Sequence, residues 1–225
     1  MLVGLCNGLS VGAGVVISQR YGAKDYERLH EAVHTTLCVT FILGLMATVI
    51  GISIVTPMLR MMETPPDVFD EAKAYLTIYF SGMSGLLLYN MGAGILRAMG
   101  DSKRPMIFLI ITCFLNIFLD IFCVVVLKMG IAGAAVATML SQVISAVLVV
   151  TVLLRLPEEY ALRIAKIRIQ PRLLKRILYV GVPAGLQFVT FDLANILIQS
   201  GVNSFGSSTI AAFTAYGKAD MLSWM

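Results

Sequence analysis

Two polar side chains lie one helical turn apart inside an apolar stretch of this chain. Asn116 and Asp120 occur in the segment CFLNIFLDIFCVVV, residues 113–126, whose other side chains are apolar. A charged side chain at the centre of a bilayer costs about 2.5–3.5 kcal/mol on insertion scales. Because residues four apart share a helix face, the amide and the carboxyl group can act together. Such a pair can bind and release a proton, or it can hold a sodium ion.

The next apolar stretch contains a third polar side chain that could join this pair. Thr138 lies among small residues in GIAGAAVATMLSQ, residues 130–142, and small residues permit a close approach of two helices. Asn116 and Thr138 can both hydrogen-bond the carboxyl group of Asp120, whether or not it is protonated. We therefore predict a cation-coupling site at Asp120, Asn116 and Thr138. The alternative is that these polar groups only hold neighbouring helices together.

A later apolar stretch, residues 177–203, carries a second acidic side chain, Asp192. Asp192, Asn195 and Gln199 share one helix face, and Gln187 lies in the same stretch. This stripe could line a water-filled substrate cavity, although polar contacts between helices would explain the same pattern. The four residues form a second, weaker candidate site.

The composition indicates that these residues belong to a membrane protein. Hydrophobic residues make up 58% of the 225 residues and charged residues 13%, with a mean hydropathy of +0.87, whereas about a quarter of the residues of a soluble domain are charged. Apolar stretches of spanning length fall at 35–59, 75–97, 106–127, 131–154 and 177–203, with partial ones at 1–18 and 208–225. We expect an all-α polytopic helical bundle and, since both ends fall within apolar stretches, a fragment.

The distribution of basic residues predicts how the bundle is oriented. Thirteen of the 17 Lys and Arg residues lie in or beside three alternate loops, 19–34, 98–105 and 155–176. By the positive-inside rule these loops are cytoplasmic. The longest of them, 155–176, is amphipathic as well as basic, so we expect it to lie along the cytoplasmic membrane interface.

Two short motifs are typical of enzymes, but their surroundings do not support catalysis. HEAVH, residues 30–34, matches the HExxH zinc motif, yet it contains the only two histidines of the chain and no third ligand is evident. GMSG, residues 82–85, resembles the serine motif of intramembrane serine proteases, but no histidine follows position 34 to act as the base. We predict no enzyme, no metal site and no cofactor other than a coupling ion, H⁺ or Na⁺. An intramembrane protease is a distant alternative.

Several segments in register resemble the multidrug and toxic compound extrusion (MATE) transporters. They are VISQRYGAKD (16–25), GILRAMGDSKRPM (94–106), CFLNIFLDIFCVV (113–125), GIAGAAVATMLSQ (130–142), GVPAGLQ (181–187) and SGVNSFGSSTIAAFTAYGK (200–218). The resemblance implies two lobes of six helices each, of which this chain would hold helices two to eight. Residues 1–154 would be the N-terminal lobe without its first helix. Residues 155–176 would be the linker between lobes, and residues 177–225 the start of the C-terminal lobe.

The resemblance also implies a function and a set of site residues. In proton-coupled members, an Asp and an Asn on the fifth helix join a Thr on the sixth and an Asp on the first. Asp120, Asn116 and Thr138 match the first three of these at the family's spacing. The carboxylate of the family's second lobe would fall at Phe191, one residue before Asp192.

The function implied by the resemblance is efflux of drugs or metabolites by H⁺ or Na⁺ antiport, with alternating access between the lobes. The expected partners are small amphipathic or cationic substrates and membrane lipids, without nucleic acid. The full-length protein is expected to be a monomer that crosses the cell membrane several times. A flippase for lipid-linked saccharides, from the same superfamily, is the alternative.

Overall fold

The computed structural model describes residues 2–62, 64–156 and 170–203, together with residues 213, 216 and 217. Within these ranges every regular element is helical, which confirms the predicted all-α class. The helices are α1 (Leu2–Gly22), α2 (Tyr26–Met61), α3 (Pro66–Ser81), α4 (Met83–Ala98), α5 (Lys103–Ile121), α6 (Gly130–Leu154) and α7 (Pro171–Asn203). A π-helical turn, Phe122–Val126, directly follows α5. The predicted apolar stretch 208–225 lies almost entirely outside the described residues.

Four of the described helices are long and apolar enough to cross a membrane. They are α2, α5 with its π-helical turn, α6, and α7 as far as Gln199. Large apolar side chains cover the outer faces of α2 and α5; Val49, Phe114 and Phe118, for example, are 59%, 70% and 64% exposed. In water such faces would be costly, whereas lipid solvates them. The bundle therefore has the surface of a membrane protein.

The predicted loop 19–34 proves to be mostly helical. Only residues 23–25 lie outside α1 and α2. Asp25 caps α2, because its carboxylate accepts a hydrogen bond from the backbone N–H of Arg28 at 3.4 Å. The same carboxylate accepts a second hydrogen bond from Arg20 Nη1 at 3.1 Å. The predicted bounds of this loop were too wide, because hydropathy marks only the part of a helix that contacts lipid. Backbone hydrogen bonds and caps decide where the helix itself ends.

The other two predicted cytoplasmic loops are also shorter than expected. The connection between α4 and α5 is residues 99–102, and its Asp101 accepts the backbone N–H of Arg104 at 3.2 Å. In the predicted linker 155–176, α7 already begins at Pro171, a residue that suits a first helical turn. Residues 157–169 of that linker lie outside the described residues.

The predicted span 75–97 is divided into two helices at Gly82. The first of them, α3, begins at Pro66 within the TPPD sequence, because proline suits the first turn of a helix. A Cβ atom on Gly82 would lie 2.5 Å from Gln142 Oε1 and 3.1 Å from Met139 Cα. Helix α6 therefore packs directly against the junction of α3 and α4, at a distance that only glycine permits.

Glycines also bring α1 and α7 into direct backbone contact. A Cβ atom on Gly8 would overlap the backbone N and Cα atoms of Gly185. One turn further along α1, a Cβ atom on Gly12 would lie 2.6 Å from the backbone N of Gly181. The two helices are antiparallel, because later positions on α1 meet earlier positions on α7. This is the small-residue packing that lets transmembrane helices approach closely.

The main apolar core surrounds the part of this crossing that contains the C-terminal half of α1 and the start of α7. Its fully buried members come from α1, α2, α4 and α6, including Ile17, Leu29, Leu96 and Leu153. At the edge of the crossing, the Arg176 guanidinium donates to Gln19 Oε1. The core therefore packs α4 against α1, α2 and the C-terminal part of α6.

Candidate functional site

A cavity of about 420 Å³ opens between α4, α5 and α6. Its wall combines a few apolar side chains with polar groups from all three helices. The polar residues are Tyr89 and Asn90 of α4, Thr112 and Asn116 of α5, and Thr138, Ser141, Gln142 and Ser145 of α6. Among the residues that the structure describes, no Lys, Arg, Asp or Glu lines this cavity. A cavity of this size with a neutral polar wall can accept a small organic molecule or several waters.

Two of the three residues predicted for the cation-coupling site lie on this wall. Asn116 reaches it from α5 and Thr138 from α6. The Thr138 hydroxyl donates to the carbonyl oxygen of Ala134 at 3.0 Å, so its oxygen can still accept a hydrogen bond. The structure thus brings the predicted amide and hydroxyl to one cavity.

The predicted acid, Asp120, is half-buried one turn beyond Asn116 and is not among the residues that line the cavity. Its Oδ1 atom is buried and has no hydrogen-bond partner within the described part of the chain. A buried carboxylate oxygen without a partner is costly unless the group binds a proton or a cation. The carboxyl group of Asp120 therefore lies beside the cavity and not in its wall, with an oxygen atom that could bind a cation.

The backbone changes its helical form directly after Asp120. Residues Phe122–Val126 are π-helical, with the Leu127 N–H donating to the Phe122 carbonyl oxygen at 3.0 Å. Helix α6 packs on this turn at Gly133, where a Cβ atom would lie 3.0 Å from the Cys123 carbonyl carbon. Short π-helical segments are rare and are frequent at functional sites. The sequence did not reveal this feature, because its residues are ordinary apolar ones.

Several polar residues of the wall were not predicted from the sequence, notably Asn90, Ser141, Gln142 and Ser145. A signal for three of them was present. Together with Thr138 they occupy positions i, i+3, i+4 and i+7 of α6, which is one face of a helix. A polar face on an otherwise apolar helix predicts a cavity or a polar contact. Asn90, a lone polar residue among apolar ones, lacked such a pattern.

The weaker candidate site on α7 is not part of this cavity in the described structure. Asp192 and Gln199 are half-buried, whereas Asn195 and Gln187 are exposed. The Asp192 carboxylate lies against α1, where a Cβ atom on Gly4 would be 3.3 Å from Asp192 Oδ2. The stripe is helical as predicted, but its role as a substrate cavity stays a prediction.

The HEAVH segment forms part of α2 and shows no zinc-site geometry. His34 is buried and its Nδ1 atom lies 2.7 Å from the carbonyl oxygen of His30, with the two ring centroids 4.0 Å apart. No group of three potential metal ligands occurs among the described residues. A ring nitrogen engaged by its own helix backbone is typical of a structural histidine.

The GMSG segment packs helices together. The Ser84 hydroxyl is 3.1 Å from the Thr48 hydroxyl of α2, and a Cβ atom on Gly44 would lie 3.0 Å from Ser84 Cα. On the other side, a Cβ atom on Gly85 would lie 3.1 Å from the Gln142 carbonyl. Small residues thus permit close contacts with both neighbouring helices.

Comparison with known protein families identifies the bundle. A family model described as MatE matches residues 1–122, more than half of the chain. The chain belongs to the MATE family. Members of this family are membrane transporters and not enzymes, which agrees with the prediction from the motifs. The multi-pass membrane location follows from the family and from the four apolar helices.

The MATE chain has a similar relative in Bacillus subtilis, the probable multidrug resistance protein YoeA. The two are 36% identical over 222 residues, which cover 95% of this chain and 48% of the relative. The chain thus spans about half the length of the curated relatives it matches.

Solved structures of MATE transporters share the fold. A structure in an outward-facing conformation, described as a multidrug resistance MATE family transporter of the MOP superfamily, matches with a TM-score of 0.87 at 28% identity. The match covers 98% of this chain and 49% of the chain in that structure. An inward-facing conformation with the same description matches with a TM-score of 0.81, again at 28% identity, covering 98% of this chain and 51% of that one.

Proposed function

We propose that this chain belongs to a secondary active transporter that exports small amphipathic or cationic molecules in exchange for H⁺ or Na⁺. The observation that carries the proposal is the cavity between α4, α5 and α6, whose wall combines polar and apolar side chains. One turn from this wall lies a buried carboxylate oxygen of Asp120 that has no hydrogen-bond partner among the described residues. Residues 1–154 would form the N-terminal lobe, 155–176 the linker and 177–225 the start of the C-terminal lobe. The whole protein would act as a monomer surrounded by lipid.

Asp120 would couple the ion gradient to conformational change. Its carboxylate is unfavourable when charged in an apolar bundle, and binding of H⁺ or Na⁺ removes that cost. An ion shifts a conformational equilibrium only by the difference between its affinities for the two states. Outward-facing and inward-facing structures of a similar transporter are known, which supports alternating access. The ion would therefore favour the conformation in which Asp120 binds it better.

The neutral wall favours export of amphipathic molecules over flipping of lipid-linked saccharides. A lipid-linked saccharide carries phosphate groups, which proteins recognise with Arg or Lys side chains. The described part of the wall includes neither Arg nor Lys. Apolar side chains such as Leu86 and Leu109, together with hydroxyls and amides, match a molecule with an apolar body and a few polar groups. The stripe at Asp192, Asn195, Gln199 and Gln187 would be a second contact for the substrate.

Transport by the full-length protein in proteoliposomes tests this function. A fluorescent amphipathic amine is loaded and its efflux is followed under an imposed proton gradient, and separately under a sodium gradient. We expect one gradient to drive efflux and Asp120→Asn to abolish the driven component, because an amide cannot take up a proton or neutralise a cation.

The matched control is Asp70→Asn, which makes the same chemical change at an exposed position of α3. It should retain driven efflux. Full driven efflux in Asp120→Asn would refute the coupling role. Absence of driven efflux in the wild type under both gradients would refute the antiport proposal as a whole.

A further inference from the structure

The HEAVH segment, residues 30–34, lies near the start of α2, and none of its residues is among the described residues that line the cavity. Glu31 of this segment is half-buried, and Thr35, the residue that follows the segment, is fully buried. Because these two residues are four apart, their side chains lie on one face of α2. Buried polar side chains are normally hydrogen-bonded, and here a single residue of the linker bonds both.

That residue is Gln170, which directly precedes α7. Its side-chain Nε2 atom donates a hydrogen bond to Glu31 Oε1, and its backbone N–H donates to Thr35 Oγ1 at 3.1 Å. Its carbonyl oxygen accepts the Leu174 N–H at 2.9 Å, as the residue before a helix does. The point at which the linker becomes helical is therefore fixed to α2, by one hydrogen bond of the stronger, charge-assisted kind and one neutral one.

The first turns of α7 extend this attachment to α1 and to the main apolar core. Leu173 and Ile177 belong to the core and are 7% and 4% exposed. On the outer side, the Arg176 guanidinium donates to Gln19 Oε1 of α1 at 2.9 Å. The start of α7 is thus held by helices of the first 154 residues, on the side that the basic residues predict to be cytoplasmic.

We propose that Glu31 and Thr35 form a latch on Gln170 that holds the two lobes together on the predicted cytoplasmic side and stabilises the outward-facing conformation. In alternating access the lobes separate on the side that opens, and α2 and α7 belong to different lobes of the proposed transporter. A contact made in only one of two conformations shifts the equilibrium towards that one. The chain, in which the latch is closed, has the higher TM-score with the outward-facing structure. The inference rests on the proposed function, because it requires two lobes that move.

An exchange of the two latch side chains tests the pairing. In Gln170→Glu, two carboxylates face each other and repel, so the latch should open. When Glu31→Gln is added to Gln170→Glu, the amide at position 31 can donate to the carboxylate at position 170, and the latch should close again. A second substitution does not repair general damage to the fold, so recovery in the double variant is specific to the pair.

Hydrogen exchange followed by mass spectrometry measures the latch in the full-length protein in lipid nanodiscs. The amides of Gln170 and Leu174 are protected while the latch is closed, and their exchange reports how often this region opens. We expect about tenfold faster exchange in Gln170→Glu and in Thr35→Val, which lacks the acceptor hydroxyl, and wild-type exchange in the double variant. The matched control is Thr40→Val, because the buried Thr40 hydroxyl donates only to the Thr36 carbonyl of its own helix.

Distances between spin labels show whether the latch sets the conformation of the lobes. Labels at Lys103 and Lys175 occupy exposed positions of α5 and α7 on the predicted cytoplasmic side. The full-length parent has its native cysteines replaced by alanine and must retain driven efflux. Double electron–electron resonance should show a longer distance for the inward-facing population. We expect Gln170→Glu to raise the ratio of the longer to the shorter distance about tenfold, and the double variant to restore it.

The outcomes separate the latch from the function beneath it. If Gln170→Glu changes neither exchange nor distances, or if Thr40→Val acts as strongly as Thr35→Val, the latch is refuted, and driven efflux by the wild type leaves the exporter standing. Faster exchange with unchanged distances also overturns the inference, because the contact would then hold only the end of α7. If exchange and distances respond as expected but neither gradient drives efflux, the latch stands and the antiport proposal fails.

Discussion

The α1–α7 crossing and the α4–α5–α6 cavity lie in one bundle but use their side chains in opposite ways. At the crossing, Gly8 meets Gly185 and Gly12 meets Gly181 with no room for a Cβ atom. At the cavity, side chains of three helices leave about 420 Å³ between them and present amides and hydroxyls to it. The crossing maximises contact between helices, whereas the cavity leaves space between them.

This difference separates stability from function. In lipid, helices associate mainly through van der Waals packing and hydrogen bonds, so the glycine crossing stabilises the bundle. The cavity lacks that packing, and beside it the buried Ser141 Oγ and Gln142 Oε1 atoms have no hydrogen-bond partner among the described residues, which is destabilising. A region that lowers the stability of the bundle is expected to be retained because it binds a ligand. Substitutions at the two regions should therefore have separable effects, on unfolding in one case and on transport in the other.

The largest effect on stability is expected from Gly8→Val. The added side chain would collide with the backbone of Gly185, so α1 and α7 must separate. Overpacking typically costs 1–3 kcal/mol, and because the obstacle here is backbone we expect at least about 3 kcal/mol. The free energy of unfolding is measured in detergent with increasing denaturant.

Gly14→Val is the control on the same helix, because no atom of the described residues lies within 4 Å of a Cβ placed there. It should change the free energy of unfolding by about 1 kcal/mol or less. Equal losses in Gly8→Val and Gly14→Val would show that the crossing contributes nothing beyond the helical propensity of α1.

A substitution in the cavity should show the reverse pattern. Asn116→Leu removes the amide from the wall but keeps a side chain of similar size. We expect gradient-driven efflux to fall by about tenfold, equivalent to 1.4 kcal/mol of lost stabilisation. Stability should change by less than about 1 kcal/mol, since no buried packing is lost. Efflux from proteoliposomes and unfolding are measured on the same preparation.

Phe118→Leu serves as the comparison, since Phe118 lies two residues beyond Asn116 on α5 and is 64% exposed at the outer surface. It should retain efflux. If Asn116→Leu lost stability as strongly as Gly8→Val does, the amide would hold helices together, which is the alternative that the sequence left open.

Much of this architecture could be predicted from the sequence. The apolar stretches predicted the membrane helices. Proline at position 66 favours the helix start that the structure has there, and glycine at positions 82 and 85 permits the close helix contacts found there. These predictions succeeded because each depends on local chemistry: the transfer of side chains to lipid, the fixed φ angle of proline and the absence of a side chain in glycine.

The predictions that failed depend on tertiary contacts or on hydrogen bonds. The break at Gly82 lies within a continuous apolar run, and it arises where α6 approaches the backbone of the α3–α4 junction. The α2 helix starts at Tyr26, within a charged segment, because Asp25 caps it. For the candidate site, the spacing of Asn116 and Asp120 predicted the shared face of α5. It could not predict that Asn116 reaches the cavity wall while Asp120 lies beyond it.

The smallest effect is expected at the polar contact between α2 and α4, which belongs neither to the glycine crossing nor to the cavity. Thr48 and Ser84 lie 3.1 Å apart, oxygen to oxygen, at a tightly packed position away from the cavity wall. Hydrogen bonds between membrane helices contribute about 0.6 kcal/mol on average. Ser84→Ala should therefore lower the free energy of unfolding by about that amount.

A double-mutant cycle with Thr48→Val isolates the contact, and the coupling energy should equal most of the single-variant loss. Driven efflux should be unchanged in Ser84→Ala, because the hydroxyl acts only in packing. Loss of efflux without loss of stability would give Ser84 a chemical role and would revive the serine-motif interpretation of GMSG. A coupling energy near zero would instead mean that Gly44 and Gly85 hold these helices together without help from the hydroxyl pair.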